Sequence, residues 1–73
     1  MVKSGDIWRH YKGKDYRIIT LSRSAHDLTW YVVYEALYEN EASQIWHREL
    51  DEFLGSVNTD GKAVARFIKK EKL

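Results

Sequence analysis

The chain has 73 residues, no cysteine, no proline and a formal net charge of +1. That length makes one domain near the lower limit for a self-sufficient core, and without cysteine neither a disulfide nor a thiolate ligand can help to hold it. A charge this small does not by itself specify a nucleic-acid partner.

Gly5-Asp6 reads as a turn leading into a strand over Ile7 to Tyr11, where aromatic and β-branched residues are favoured. Lys12-Gly13-Lys14-Asp15 supplies a tight turn, because Gly13 can take a positive φ. Tyr16 to Leu21 is the return strand, with faces Tyr16/Ile18/Thr20 and Arg17/Ile19/Leu21. Ser22 to Leu28 is a polar loop. Thr29 to Tyr38 carries the strongest strand signal. Tyr31, Val33, Glu35 and Leu37 lie on one face, and Trp30, Val32, Tyr34, Ala36 and Tyr38 on the other. Both faces are largely apolar, so this strand is expected to be covered on both sides, with the surplus meeting a second copy or a ligand.

Residues 39–55 are ambiguous. Trp46, Leu50, Phe53 and Leu54 fall at helical spacing, with Asn40 as an N-cap and Gly55 as a stop. The alternative is a strand at Ile45–Arg48 followed by one helical turn at Leu50–Leu54. Val57 to Thr59, an Asp60-Gly61 turn and Ala63 to Ile68 read as a hairpin, since Asp-Gly suits a type I′ turn. Residues 69–73, KKEKL, read as a charged, frayed tail. The whole, residues 1–73, is expected to be a mainly β, small antiparallel barrel of about five strands with one helical turn.

Ten aromatic rings, each able to bury about 150–250 Å², are many for so small a core, so some are expected at a surface or an interface. The start, MVKSGD, has no apolar run of the signal-peptide kind, and the longest apolar run of consequence, WYVVY at 30–34, is far short of a membrane span. A cytoplasmic protein with no membrane partner is the expectation. Charge is unevenly spread: residues 1–28 sum to +3, residues 29–54 to −5 and residues 55–73 to +3. Two basic ends flanking an acidic middle fit internal complementarity, or a basic face if the ends meet in space.

The pattern Trp8-Arg9-His10-Tyr11-Lys12-Gly13, Tyr16, Arg23, Val32-Val33-Tyr34, Leu37-Tyr38, Trp46, Arg48, Phe53, Gly61 and Arg66-Phe67 resembles the bacterial domain of unknown function 1653 family. The resemblance spans about Gly5 to Phe67 and implies a small SH3-type β-barrel. Its members typically carry proline where this chain has Glu49, which implies a strand at Ile45–Arg48 and a helical turn after it. This chain departs from the pattern at Ser24-Ala25-His26-Asp27, where members usually continue Arg23 with His-Ser-Glu-Thr, and at Ala65, where they carry proline.

No catalytic arrangement stands out. His10, His26 and His47 are far apart in sequence, and Asp51 and Glu52 are adjacent on one turn rather than facing across a cleft. Ser22, His26 and Asp27 can be drawn as a triad but lack an evident oxyanion hole. The expectation is a binding module, not an enzyme, with no cofactor and no metal. Its first-choice ligand is a protein partner or a second copy of itself. The alternative is single-stranded nucleic acid or another polyanion at the basic–aromatic hairpin 8–17. The candidate binding residues are Arg9, His10, Tyr11, Lys12, Lys14, Arg17, Arg23, Tyr34 and Arg48. Arg48 and Arg66 are single cations in acidic or apolar surroundings, each suited to an ion pair or to a ligand contact.

Overall fold

A computed structural model describes residues 1–70. Its elements are β1 (Ile7–His10), β2 (Asp15–Arg23), β3 (Trp30–Ala36), β4 (Ile45–Glu49), α1 (Leu50–Phe53), β5 (Ser56–Thr59), β6 (Lys62–Ala65) and β7 (Phe67–Lys69). Five strands form one antiparallel sheet in the order β4-β3-β2-β1-β7, and β5 pairs with β6 in a separate hairpin. The fold is mainly β, as expected, but the sheet does not close into a barrel. β4 and β7 are its two edges, and α1 with the β5–β6 hairpin takes up the chain between them.

The turns follow their residues. Gly13 has φ 100°, and its N–H donates to the His10 carbonyl at 2.7 Å. Asp60 and Gly61 have φ 52° and 78°, two left-handed residues in succession as a type I′ turn demands. The segment 45–54 resolves as strand then helical turn. Leu54 N–H still donates to Leu50 O at 3.0 Å, and Gly55 ends the helix where a Cβ would lie 3.1 Å from the Asp51 carbonyl oxygen.

Four expectations change. In β2 the register shifts between Ile18, opposite Tyr34, and Thr20, opposite Val33. Ile19 is therefore an extra residue, and such a bulge re-aims the strand beyond it. Tyr16, Ile18 and Leu21 face the core, while Ile19 and Thr20 are exposed, so the simple alternation fails. The expected 63–68 strand is two strands: the chain breaks at Arg66, and Phe67–Lys69 pairs with β1. β3 is not covered on both sides. Val32, Tyr34 and Ala36 are buried, but Tyr31, Val33 and Glu35 on the outer face are only half-buried, and Trp30, at the start of the strand on the inner-face side, is exposed. Finally, Lys69 belongs to β7, and Lys70 N–H donates to Ile7 O at 2.9 Å, so these two residues are no frayed tail. The rest of that tail, 71–73, lies outside the described residues.

The core sits on the inner face under α1. Phe53 and Val32 are 0 % exposed and Ile18 is 1 % exposed. Phe53 stacks on Phe67 with ring centroids 4.0 Å apart, and Trp8 meets Phe53 edge-on at 5.3 Å. Among the described residues no helix is long and apolar enough to cross a membrane.

Candidate functional site

The sheet divides the cations of the basic hairpin between its two faces. Arg9 and Arg17 point to the outer face and are already engaged. Arg9 Nε donates to Asp15 Oδ1 at 2.9 Å, and Arg17 lies 3.4 Å from Glu35, its cross-strand partner. The Arg9 hydrogen bond holds the Asp15 carboxyl below the ordinary carboxylate range. The two basic ends do meet, since β1 pairs with β7. Yet Asp6 and Asp15, from the same N-terminal segment, lie within 3.5 Å of Lys69 and 3.4 Å of Lys70 respectively. Arg23 is at the opposite end of β2, stacked 4.6 Å from the Trp30 ring. Tyr11 is exposed beside His10. Lys12 and Lys14 have no carboxylate in ion-pair contact among the described residues, and they lie 5.9 Å from the Tyr11 ring and 5.1 Å from the Tyr38 ring.

The inner face brings a different set together. His10 ends β1 on the same face as Trp8. Its ring meets Phe67 edge-on at 5.0 Å, and its Nδ1 accepts the Lys12 N–H at 3.2 Å. That bond leaves Nε2 to carry the proton of the neutral imidazole. Arg48, opposite Val32, shares the buried face of β3 and β4. Its guanidinium lies beside the Tyr34 hydroxyl and donates to Glu52, one turn along. Arg66 occupies the break between β6 and β7. Its N–H donates to Gly55 O at 3.0 Å, and its carbonyl accepts the Tyr11 N–H at 2.9 Å, so the backbone on both sides is tied down. Burial pushes the His10 pKa down, and Arg48, Lys12 and Arg66 around it push it further. Tyrosines border this recess on the Arg48 side, where Tyr34 and Tyr16 neighbour the guanidinium. Tyr16 and Tyr38 share a hydroxyl–hydroxyl hydrogen bond, and Tyr16 meets Tyr34 edge-on at 5.2 Å. Burial, then Tyr38, pushes the Tyr16 pKa up.

Among the described residues the buried side-chain polar atoms without a partner are Trp8 Nε1, Arg48 Nε and Arg66 Nε. All three are N–H donors. Arg66 has neither a carboxylate nor a hydrogen-bond acceptor for its guanidinium among these residues. The donor fork of a guanidinium matches the geometry of a carboxylate or phosphate. The same residues hold no group of three or more His, Cys, Asp or Glu placed to bind a metal. Asp27, one member of the possible triad, has Oδ1 accepting the Thr29 N–H at 3.0 Å, and hydrogen bonding from the Thr29 side chain first and its backbone second lowers the Asp27 pKa.

Over residues 6–69 the sequence matches the family described as "Protein of unknown function (DUF1653)". The chain belongs to this family. A comparison with curated proteins gives no match. The fold is similar to the crystal structure of a DUF1653 protein from Bordetella bronchiseptica, at 30% sequence identity and a TM-score of 0.78, over 90% of this chain and 83% of that one. Within the DUF1653 pattern read from the sequence, His10, Tyr16, Tyr34, Tyr38, Arg48 and Arg66 are the residues that meet in the recess. Trp8, Phe53 and Phe67, from the same pattern, pack the core. Of the candidate binding residues, His10, Tyr34 and Arg48 come together, and Lys12 stands close by. Arg9, Arg17 and Arg23 lie elsewhere. Tyr16, Tyr38 and Arg66 were not among those candidates, although all three stand in the DUF1653 pattern.

Proposed function

We propose that this chain is a small binding module, not an enzyme, that takes an anionic group of a protein partner in the His10–Arg48–Arg66 recess. The observation that carries this reading is the pair of buried guanidinium Nε–H groups without acceptors. A buried unsatisfied donor costs about 1–3 kcal/mol, and an incoming carboxylate removes that cost. Protein is favoured over a polyanion because the hairpin arginines that would extend a phosphate track, Arg9 and Arg17, are ion-paired on the other face. The open sheet, with α1 and the β5–β6 hairpin, serves the part we assign to an SH3-type architecture, presenting an aromatic surface between short strands. A cytoplasmic setting suits a cysteine-free chain. Nucleic acid is the second reading, supported by Lys12 and Lys14, which lie over tyrosine rings and have no ion-pair partner among the described residues.

Amide and arginine side-chain NMR tests this, using peptides with a free C-terminal carboxylate, their amidated counterparts, and short single-stranded RNA. Carboxylate-dependent shifts at His10, Arg48 and Arg66 support the protein reading. Shifts spreading to Lys12 and Lys14 with RNA, and lost steeply with salt, support the second. If no anion moves the recess signals, the module reading of this site is wrong. Linewidths of the free protein report self-association in the same experiment.

A further inference from the structure

A second surface lies where the β2–β3 loop meets the β4–α1 junction. It is a groove of about 270 Å³ lined by Leu28, Thr29, Trp30, Glu49, Leu50 and Asp51. Small-molecule sites run to about 300–1,000 Å³, so this groove is sized for one or two side chains. Three observations bear on its use. Leu28 is 61 % exposed and Trp30 is 43 % exposed, an unusual outlay of large apolar surface in a small chain. Glu49 and Asp51 are exposed on the rim, and neither is in an ion pair among the described residues. Leu28 has φ 63°, a left-handed conformation that a leucine adopts only at a cost.

The loop explains the conformation but not the residue. Leu28 N–H donates to Ser24 O and Ser24 N–H to Thr29 O, both at 2.8 Å, so the loop closes through a left-handed residue at position 28. Glycine or asparagine would fill that position with little strain. Leucine is strained there and buries little surface in return. Strain kept at an exposed position is a feature of ligand-binding segments. Trp30 is held by Arg23 stacked 4.6 Å from its ring, which fixes one wall of the groove.

We infer that this groove docks a partner peptide segment carrying an aliphatic side chain beside a lysine or arginine. The aliphatic group seats against Leu28, Trp30 and Leu50, and the cation meets Glu49 and Asp51. The acidic rim repels polyanions, so the occupant is a basic peptide and not nucleic acid. This inference is independent of the anion recess, which titrates through other residues.

The test uses the whole chain, labelled with ¹⁵N, and two capped tetrapeptides, acetyl-Leu-Lys-Leu-Arg-amide and acetyl-Leu-Glu-Leu-Glu-amide, at about millimolar concentration. The basic peptide is expected to shift amides at 28–30 and 49–51 and the Trp30 indole, and the acidic peptide to leave them in place. Leu28→Gly should weaken the basic peptide by about tenfold or more while the thermal midpoint stays level or rises, because relief of strain offsets the flexibility that glycine adds. The double variant Glu49→Gln, Asp51→Asn should remove the preference for the basic peptide. The inference is overturned if the two peptides bind alike, if neither binds, or if Leu28→Gly lowers the thermal midpoint and leaves peptide affinity intact.

Discussion

At the scale of single residues, the recess makes two predictions. His10 is held below its ordinary pKa, by burial first and then by Arg48, Lys12 and Arg66. Between the lowered folded value and the unfolded value of about 6.5, the unfolded chain binds the proton and the folded chain does not. The fold therefore loses stability as pH falls through that window, and regains it as pH rises. Thermal midpoints measured from pH 7.5 downward should show this slope, and His10→Gln should flatten it. An unchanged slope in the variant would place the titration elsewhere. An anion in the recess acts the other way, raising the His10 pKa, so ligand affinity should increase as pH falls. Arg66 gives the second prediction. Its guanidinium donors have no acceptor among the described residues, so an apolar residue of similar length removes a cost rather than a bond. Arg66→Met should be neutral or stabilising by up to about 1 kcal/mol while abolishing anion binding. Arg48→Met takes the guanidinium away from the buried Tyr34 hydroxyl and should be destabilising instead.

At the scale of elements, the junction of β4 and α1 is the clearest case of backbone preparing a substitution. Ala36 N–H donates to Gln44 O at 2.8 Å, which by antiparallel alternation makes Tyr34/Trp46 and Val32/Arg48 the hydrogen-bonded pairs. Glu49, opposite Tyr31, falls in a non-bonded pair, so its N–H points off the free edge of β4. Its φ is −54°, close to the value proline imposes, and Arg48 before it is extended. Glu49→Pro should therefore stabilise the fold by about 0.4–1 kcal/mol, read as a raised midpoint in thermal or denaturant unfolding. A loss would mean that the Glu49 N–H has an acceptor. This junction also shows what sequence could carry. Periodicity left 39–55 open between helix and strand, and only the proline expected from the family pattern decided it. The Gly13 and Asp60-Gly61 turns were legible because each needs a particular residue type. The bulge at Ile19 was not, since no glycine marks it and β-branched residues run straight through it. Nor was β7, because Arg66 and Phe67 look like a continuation of β6 until β1 is there to pair with. The recess was half legible for the same reason. His10 and Arg48 stood out as residues, but their meeting with Arg66 depends on which strand lies beside β1.

At the scale of the whole molecule, everything hangs on a core that α1 completes. A chain of 73 residues has a total stability of about 4–11 kcal/mol at 0.05–0.15 kcal/mol per residue. Phe53 is the one α1 side chain fully buried, and it touches Trp8, Tyr34 and Phe67 from three strands. Those contacts join the β4 side of the sheet to the β7 edge in place of the hydrogen bonds that a closed barrel would have. Phe53→Ala should cost about 3–5 kcal/mol, a large share of the total, and lower the thermal midpoint by at least about 12 °C. Ile68, also apolar but 62 % exposed on the outer face of β7, is the matched control, and its alanine variant should stay within about 0.5 kcal/mol of the parent. The contrast separates two accounts of the fold. If α1 is the clamp, Phe53→Ala unfolds the sheet cooperatively and the His10–Arg48–Arg66 recess disappears with it, because Phe67 no longer has the ring that positions it against His10. If the five-stranded sheet instead stands by its own hydrogen bonds, the variant keeps its strand signals and loses little, and the open edges would then have to be closed by something other than this core.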